Sequence, residues 1–213
     1  MTTALKATLV AALAALASAT AAQAAVTVSA TNTDLPLPAD QMLVWDFDGL
    51  QAPGYSLSLS GGAGIYDGSD GLISGVSAPP PGTTTNYLSV LGGGKAVLTT
   101  PNIRWLSLYM GSPDNYNQIR FNYVGGGHDT LSGVQLAQGA FGGNQSVGRR
   151  MTYHFNGAQL SSVEFTSSSN SFEFDNIAAG VPEPATWAMM IMGFGMAGSA
   201  VRSSRRKTVA AVA

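Results

Sequence analysis

The chain of 213 residues contains no cysteine, which excludes disulfide cross-links, thiol nucleophiles and thiolate metal sites. Charged residues make up only 10% of it, and histidine occurs twice, at His128 and His154. Neither histidine stands in a His-Glu-x-x-His pattern or at another zinc spacing, so no metalloprotease centre is encoded. No serine sits in a Gly-x-Ser-x-Gly elbow that could use His128-Asp129 as a dyad. That pair follows Gly125-Gly126-Gly127 and reads as a solvated turn. Gly92-Gly93-Gly94-Lys95-Ala96 lacks both the spacer between glycines and the hydroxyl after lysine that a phosphate loop needs. Between Val26 and Ala179 there is no amphipathic helix of useful length.

The near-neutral total charge of −2 conceals an uneven distribution. From Ala25 to Val181, Lys95, Arg104, Arg120, Arg149 and Arg150 face eleven Asp and Glu, a net charge of −6. The remaining positive charge is concentrated near the C-terminus. An acidic body poor in Lys and Arg argues against nucleic acid, whose binding depends on neutralising phosphates. The length allows one domain of ordinary size between two terminal signals.

The N-terminus reads as an export signal handled by the general secretion machinery. Lys6 supplies the positive flank, residues 7–17 the apolar stretch, and Ala22-Gln23-Ala24 a small-x-small site for signal peptidase, so that the mature chain starts at Ala25.

What is plentiful in the body is glycine, 26 residues in the whole chain, interspersed with short β-branched and aromatic runs. The pattern predicts strands at Leu43–Asp48, Tyr55–Leu59, Tyr87–Leu91, Ala96–Thr99, Ile103–Met110, Gln118–Tyr123, Met151–Phe155, Ser162–Thr166 and Ser171–Ile177. Between them lie turn signals such as Gly61-Gly62-Ala63-Gly64 and Pro79-Pro80-Pro81-Gly82. Many short strands with Gly-rich turns predict an all-β domain over residues 25–180, a two-sheet, jelly-roll-like β-sandwich. No fixed-period repeat suggests a solenoid.

The C-terminus is ordered in three parts: Pro182-Glu183-Pro184, an apolar run from Ala185 to Val201, and a basic cluster of Arg202, Arg205, Arg206 and Lys207. As a helix the run spans about 25 Å, short of a hydrocarbon core of roughly 30 Å, and Gly193, Gly195 and Gly198 weaken it. A short, single transmembrane helix is expected, basic cluster inside and Pro-Glu-Pro at the outer face. Pro182-Glu183-Pro184, then Trp187-Ala188, a Gly-rich span and terminal arginines resemble the PEP-CTERM sorting signal in its PEPxxWA form, over residues 181–207. The extra tail of residues 208–213 departs from that pattern. The resemblance implies a membrane-anchored precursor at the inner membrane of a Gram-negative bacterium. It further implies processing by an exosortase-type transpeptidase and delivery to the cell surface or the exopolysaccharide matrix. Two body segments, Leu106 to Asn117 and Phe172 to Ala178, are similar to stretches of the β-sandwich bodies of PEP-CTERM proteins.

Two weaker sites are expected within the body. Asp46 and Asp48 alternate on the first long strand and Asp175 lies on the last, so with Asn176 they could supply oxygens to a calcium ion; Asp67-Gly68-Ser69-Asp70-Gly71 is a second oxygen-rich stretch. The ordinary reading of both is turn chemistry and solvated strand ends, and no cofactor is otherwise indicated. In Ile103–Met110, Leu106, Leu108 and Met110 share one face and Trp105, Ser107 and Tyr109 the other. Trp105 and Tyr109 would then form an aromatic platform for a sugar ring, with Asn115, Tyr116 and Asn117 in the following turn. The sequence therefore predicts a non-catalytic surface protein that contacts exopolysaccharide. An envelope polysaccharide hydrolase is the alternative, and a cleft with paired carboxylates would favour it.

Overall fold

The computed structural model describes residues 26–111, 113–137, 146–180 and 191–196. Among these residues twelve strands, all paired antiparallel, form two sheets. The seven-stranded sheet contains β1 (Thr27–Thr31), β2 (Gln41–Trp45), β4 (Ala63–Asp67), β5 (Asn86–Val90), β7 (Trp105–Met110), β10 (Arg149–His154) and β12 (Phe172–Gly180). Its order is β1-β10-β7-β12-β5-β4, with β2 pairing the second half of β12 on the side where β5 pairs the first half. The five-stranded sheet contains β3 (Ser56–Ser60), β6 (Lys95–Ile103), β8 (Asn117–Tyr123), β9 (His128–Ser132) and β11 (Leu160–Ser167), in the order β3-β6-β11-β8-β9. The predicted all-β, two-sheet architecture is what the chain adopts. Helical structure in the described part of the body is limited to 3-10 turns at Gly68–Asp70 and Gly133–Leu136.

Alternation builds the core. Leu106, Leu108 and Met110 of β7 are buried at 0% exposure, as are Met151 and Tyr153 of β10 and Phe174 of β12. They meet Ile119 and Phe121 of β8 and Val163 and Phe165 of β11. Phe165 and Phe174 lie 4.3 Å apart between ring centroids, and Phe121 and Tyr153 5.1 Å apart, so aromatic contacts join the two sheets. Each such buried side chain contributes about 1.5–3 kcal/mol, which explains how a cysteine-free domain holds together.

The two outer faces differ. On the seven-stranded sheet the outward residues Tyr87, Ser89, Ser107, Arg150, Thr152 and Asp175 are buried although polar, because residues 32–40 and 71–85 lie over them. Asp34 reaches Arg150, Pro81 accepts from Tyr109, and Thr83 donates to Asp175. No described segment lies in the same way over the outward residues of the five-stranded sheet. Ser56, Ser58, Ser60, Lys95, Arg120 and Thr130 are exposed.

Three expectations about elements require correction. The pair His128-Asp129 opens an edge strand, β9, in place of a solvated turn. Ala63-Gly64 begins β4, so the turn after β3 is confined to Gly61-Gly62. Asp46 and Asp48 do not share a strand face, because β2 ends at Trp45 and Phe47 takes a left-handed φ of 61°, which breaks the alternation.

Candidate functional site

The strand that leads to the C-terminal signal is interior to its sheet. β12 pairs with β7 on one side and with β5 and β2 on the other, and it ends at Gly180, two residues before Pro182. A side chain at Gly180 would stand 2.8 Å from Trp105 Nε1, so the indole lies directly on the strand end. Trp105 also packs against the His154 ring at 6.3 Å. Pro182, Glu183, Pro184, Trp187, Arg202, Arg205, Arg206 and Lys207 lie outside the described residues, as do Ala22, Ala24 and Ala25 at the expected signal cleavage. Of the expected transmembrane helix, residues 191–196 are described; they are helical, with Ile191 and Phe194 exposed. No helix among the described residues is long and apolar enough to cross a membrane.

Tyr109 offers no stacking face. Its side chain stands outward from β7 as predicted, but it is only 7% exposed. The hydroxyl donates to the Pro81 carbonyl at 2.6 Å, and Gly148 sits so close that a Cβ there would fall within 1.8 Å of the hydroxyl oxygen. The expected Trp105–Tyr109 platform is therefore not formed: one ring seats on Gly180 and the other lies under a loop.

The acidic residues expected to bind calcium are engaged in backbone caps. Asp46 Oδ1 accepts from the amides of Asp48 and Leu50, both at 2.9 Å, and Asp48 Oδ1 accepts from the Asn86 amide at 3.0 Å. Asp67 accepts from the Ser69 amide at 2.8 Å. The neighbourhood of first and last strands is real, since β2 pairs with β12. Asp175 is nevertheless buried at 1% exposure and accepts from the Asn176 amide at 2.7 Å and from Thr83 Oγ1 at 3.3 Å. Burial pushes its carboxyl up to about 7, against those two hydrogen bonds and with added repulsion from Asp34 and Asp48. Among the described residues no group of three or more His, Asp or Glu side chains is arranged to hold a metal ion.

What sequence reasoning missed is the buried cation beside Asp175. Arg150 is 1% exposed. It pairs with Asp34 and donates to the Asp34 carbonyl at 3.0 Å, the Asn176 carbonyl at 2.9 Å and Ser107 Oγ at 3.1 Å. Asn176 takes a left-handed φ of 48°, and the ladder registers shift on both sides of it. This β-bulge is where a residue tolerant of that conformation is required, and Asn176 Nδ2 completes the set by donating to Asp34 Oδ2 at 2.6 Å. Burial lowers the guanidinium pKa and Asp34 opposes that shift.

A cleft of about 240 Å³ opens beside this layer, between residues 72–78, Asp114 and Tyr116 after β7, and the β11–β12 connection. Asn170 forms its hinge: Oδ1 accepts from the Gly92 amide and Nδ2 donates to the Gly75 carbonyl, each at 2.9 Å. Tyr116 OH lies 2.8 Å from Asp114 Oδ2 and 2.9 Å from the Asn170 carbonyl, and burial, then Asp114, pushes the phenol up to about 12. Glu173 lines the inner wall. Its Oε1 accepts from the Ala78 amide at 3.1 Å, from Ser77 Oγ at 3.3 Å and from Ser171 Oγ. Burial raises the Glu173 pKa; the three hydrogen bonds oppose this and Asp114 adds to it. Two carboxyl groups thus share one cleft that, among the described residues, no Lys or Arg lines. In the sequence, Asn115, Tyr116 and Asn117 read only as a turn after the strand, and Asp114 and Glu173 carried no signal of the cleft.

Residues 180–207 match the family model of the PEP-CTERM protein-sorting motif, beginning on the last residue of β12. That motif implies an exported, surface-targeted protein and processing by an exosortase-type enzyme. No curated protein matches the chain. Among solved structures, the solution structure of CtCBM11 is 16% identical, covering 68% of this chain and 97% of its own, with a TM-score of 0.28. The K2 cleaved adhesin domain of Lys-gingipain is 14% identical, covering 70% and 97%, with a TM-score of 0.18. Overlaps this low are too small to assign this chain a fold or a ligand.

Proposed function

We propose that this is a non-catalytic cell-surface or extracellular-matrix protein whose precursor is held at the inner membrane until an exosortase-type enzyme processes its tail. The mature body contacts exopolysaccharide. The observation that carries the reading is the sorting motif at residues 180–207, starting where the sandwich ends. Signal-peptide removal before Ala25 and the short transmembrane helix complete the route. We read the sandwich as a jelly roll with four added strands. The orders β5-β12-β7-β10 and β6-β11-β8-β9 within the two sheets are those of two interleaved Greek keys. The test is the intact mass of the protein from hosts with and without the exosortase. A species starting at Ala25 that loses its basic tail only when the enzyme is present is expected; the same full-length tail in both hosts rejects the reading.

One observation favours a second reading, an envelope polysaccharide hydrolase. Asp114 and Glu173 share a cleft, and Glu173 is shifted toward its protonated form as a general acid requires. Release of reducing ends from envelope polysaccharide that disappears in Glu173→Gln would establish it. Equal release by both forms, or none by either, would remove it.

A further inference from the structure

The uncovered face of the five-stranded sheet is built as a lattice. Strand registers place Ser58, Val97, Glu164, Arg120 and Thr130 side by side across β3, β6, β11, β8 and β9. The parallel row on one side runs from Ser60 through Lys95 to Ser132, and on the other from Ser56 through Asn122 to His128. Rows are about 7 Å apart along the strands and neighbours about 4.8 Å apart across them. Val97, half-buried, is the one apolar side chain in the three rows, and no Trp or Tyr of the kind that anchors protein interfaces stands in them.

The charge on this lattice is opposite to that of the body. Lys95 and Arg120 stand against Glu164, whose carboxylate lies 3.5 Å from Lys95 Nζ. The other acidic residue in these five strands, Asp129, points the other way and accepts from Tyr123 OH at 2.7 Å. The acidic groups of the covered face lie on the far side of a sandwich whose sheets are about 10 Å apart, so Glu164 is the one carboxylate set directly among the two cations of this face. A polyanion lying on the lattice therefore meets a local excess of positive charge on a body of net charge −6.

We propose that this face is the docking surface for an acidic polysaccharide, a polymer with carboxylate groups on a polyhydroxylated backbone. Lys95 and Arg120 pair with the carboxylates, and the serine, threonine, asparagine and glutamine rows exchange hydrogen bonds with the sugar hydroxyls. Two cations are too few for a nucleic acid, no Trp, Tyr or Phe is present for base stacking, and the lone, half-buried Val97 gives a lipid surface no apolar face to bury. The inference rests on the exopolysaccharide reading and narrows it to one surface and one charge class.

The experiment is a calorimetric titration of the mature protein with alginate, a uronate polymer, and with dextran, a neutral one. Alginate is expected to bind and to weaken with added salt. Lys95→Ser with Arg120→Ser is expected to weaken it about tenfold, while Arg104→Ser, which removes an exposed cation elsewhere, leaves it unchanged. Thr130→Glu adds a negative charge to the same face and is expected to weaken alginate binding without touching either cation. Equal losses from Arg104→Ser, or alginate binding indifferent to Thr130→Glu, would overturn the proposal. Binding of dextran but not alginate would overturn it and leave exopolysaccharide contact standing; binding of neither would remove both.

Discussion

Arg150 and Asp34, 116 positions apart in the chain, form an ion pair on the covered face of the seven-stranded sheet, with the arginine side chain wholly shielded from water. The pair fastens residues 32–40 to β10 and β12 at once. Arg150→Met would leave Asp34 with Asn176 Nδ2 but no counter-charge, and the Asn176 carbonyl without the guanidinium, and is expected to cost ~3–5 kcal/mol. Asp34→Ala is expected to cost at least as much, since it leaves a wholly buried guanidinium with only neutral acceptors, two carbonyls and Ser107 Oγ, in contact. Urea unfolding of the two variants beside the parent checks the order.

Asp175 gives the fold a specific pH dependence. Its carboxyl is raised from an ordinary 3.8 to about 7, so between those values the folded state holds a proton that the unfolded chain has released. Stability from this group is therefore full below about pH 4, falls as pH rises toward 7, and is level above that. Glu173, raised in the same direction by burial, acts with the same sign. Asp175→Asn is expected to flatten the profile and to be more stable than the parent at pH 8, measured by thermal unfolding across pH.

The Gly180 backbone lies hard against the Trp105 indole, leaving no room for a Cβ. Gly180→Ala is expected to displace the ring at a cost of ~1–3 kcal/mol. A shift in tryptophan fluorescence together with a lower unfolding midpoint would establish it; an unchanged spectrum would mean the ring is not seated there.

The carboxylates once expected to hold calcium are occupied by backbone amides. Millimolar calcium or a chelator is expected to leave the unfolding midpoint where it was. A rise with calcium that Asp46→Asn abolishes would reinstate the site.

A chain of residues 26–181 retains all twelve strands and is expected to unfold cooperatively. A chain of residues 26–175 loses the part of β12 that pairs with β2 and is expected not to fold. Circular dichroism on both forms decides it.

Much of this was legible in the sequence. Each of the nine predicted strands overlaps an observed one, and the inward face of β7 follows from its alternation, because side-chain periodicity is a local property. β1, β4 and β9 were missed where glycine or an Asn/Asp-type turn signal abuts a short edge strand, as at Gly64 and His128. The expected shared face of Asp46 and Asp48 failed at Phe47, whose left-handed backbone no residue preference for Phe would suggest. Arg150 was invisible for a different reason: nothing local marks a cation for burial, and its partners Asp34 and Asn176 arrive from distant segments. The cleft depends in the same way on Asp114 and Glu173 converging from separate connections.

The position of β12 also imposes an order of events. β7 on one side and β5 with β2 on the other have no ladder joining them until β12 lies between, so the larger sheet is closed by its final strand. Chains dominated by such distant pairings fold slowly. A polypeptide threaded through a membrane with its N-terminus leading cannot zip this sheet shut while residues 172–180 are still inside the channel. On the proposed export route, closure of the domain and arrival of the sorting motif at the membrane surface coincide, and a prematurely ended chain is left with an open sheet that proteases can recognise.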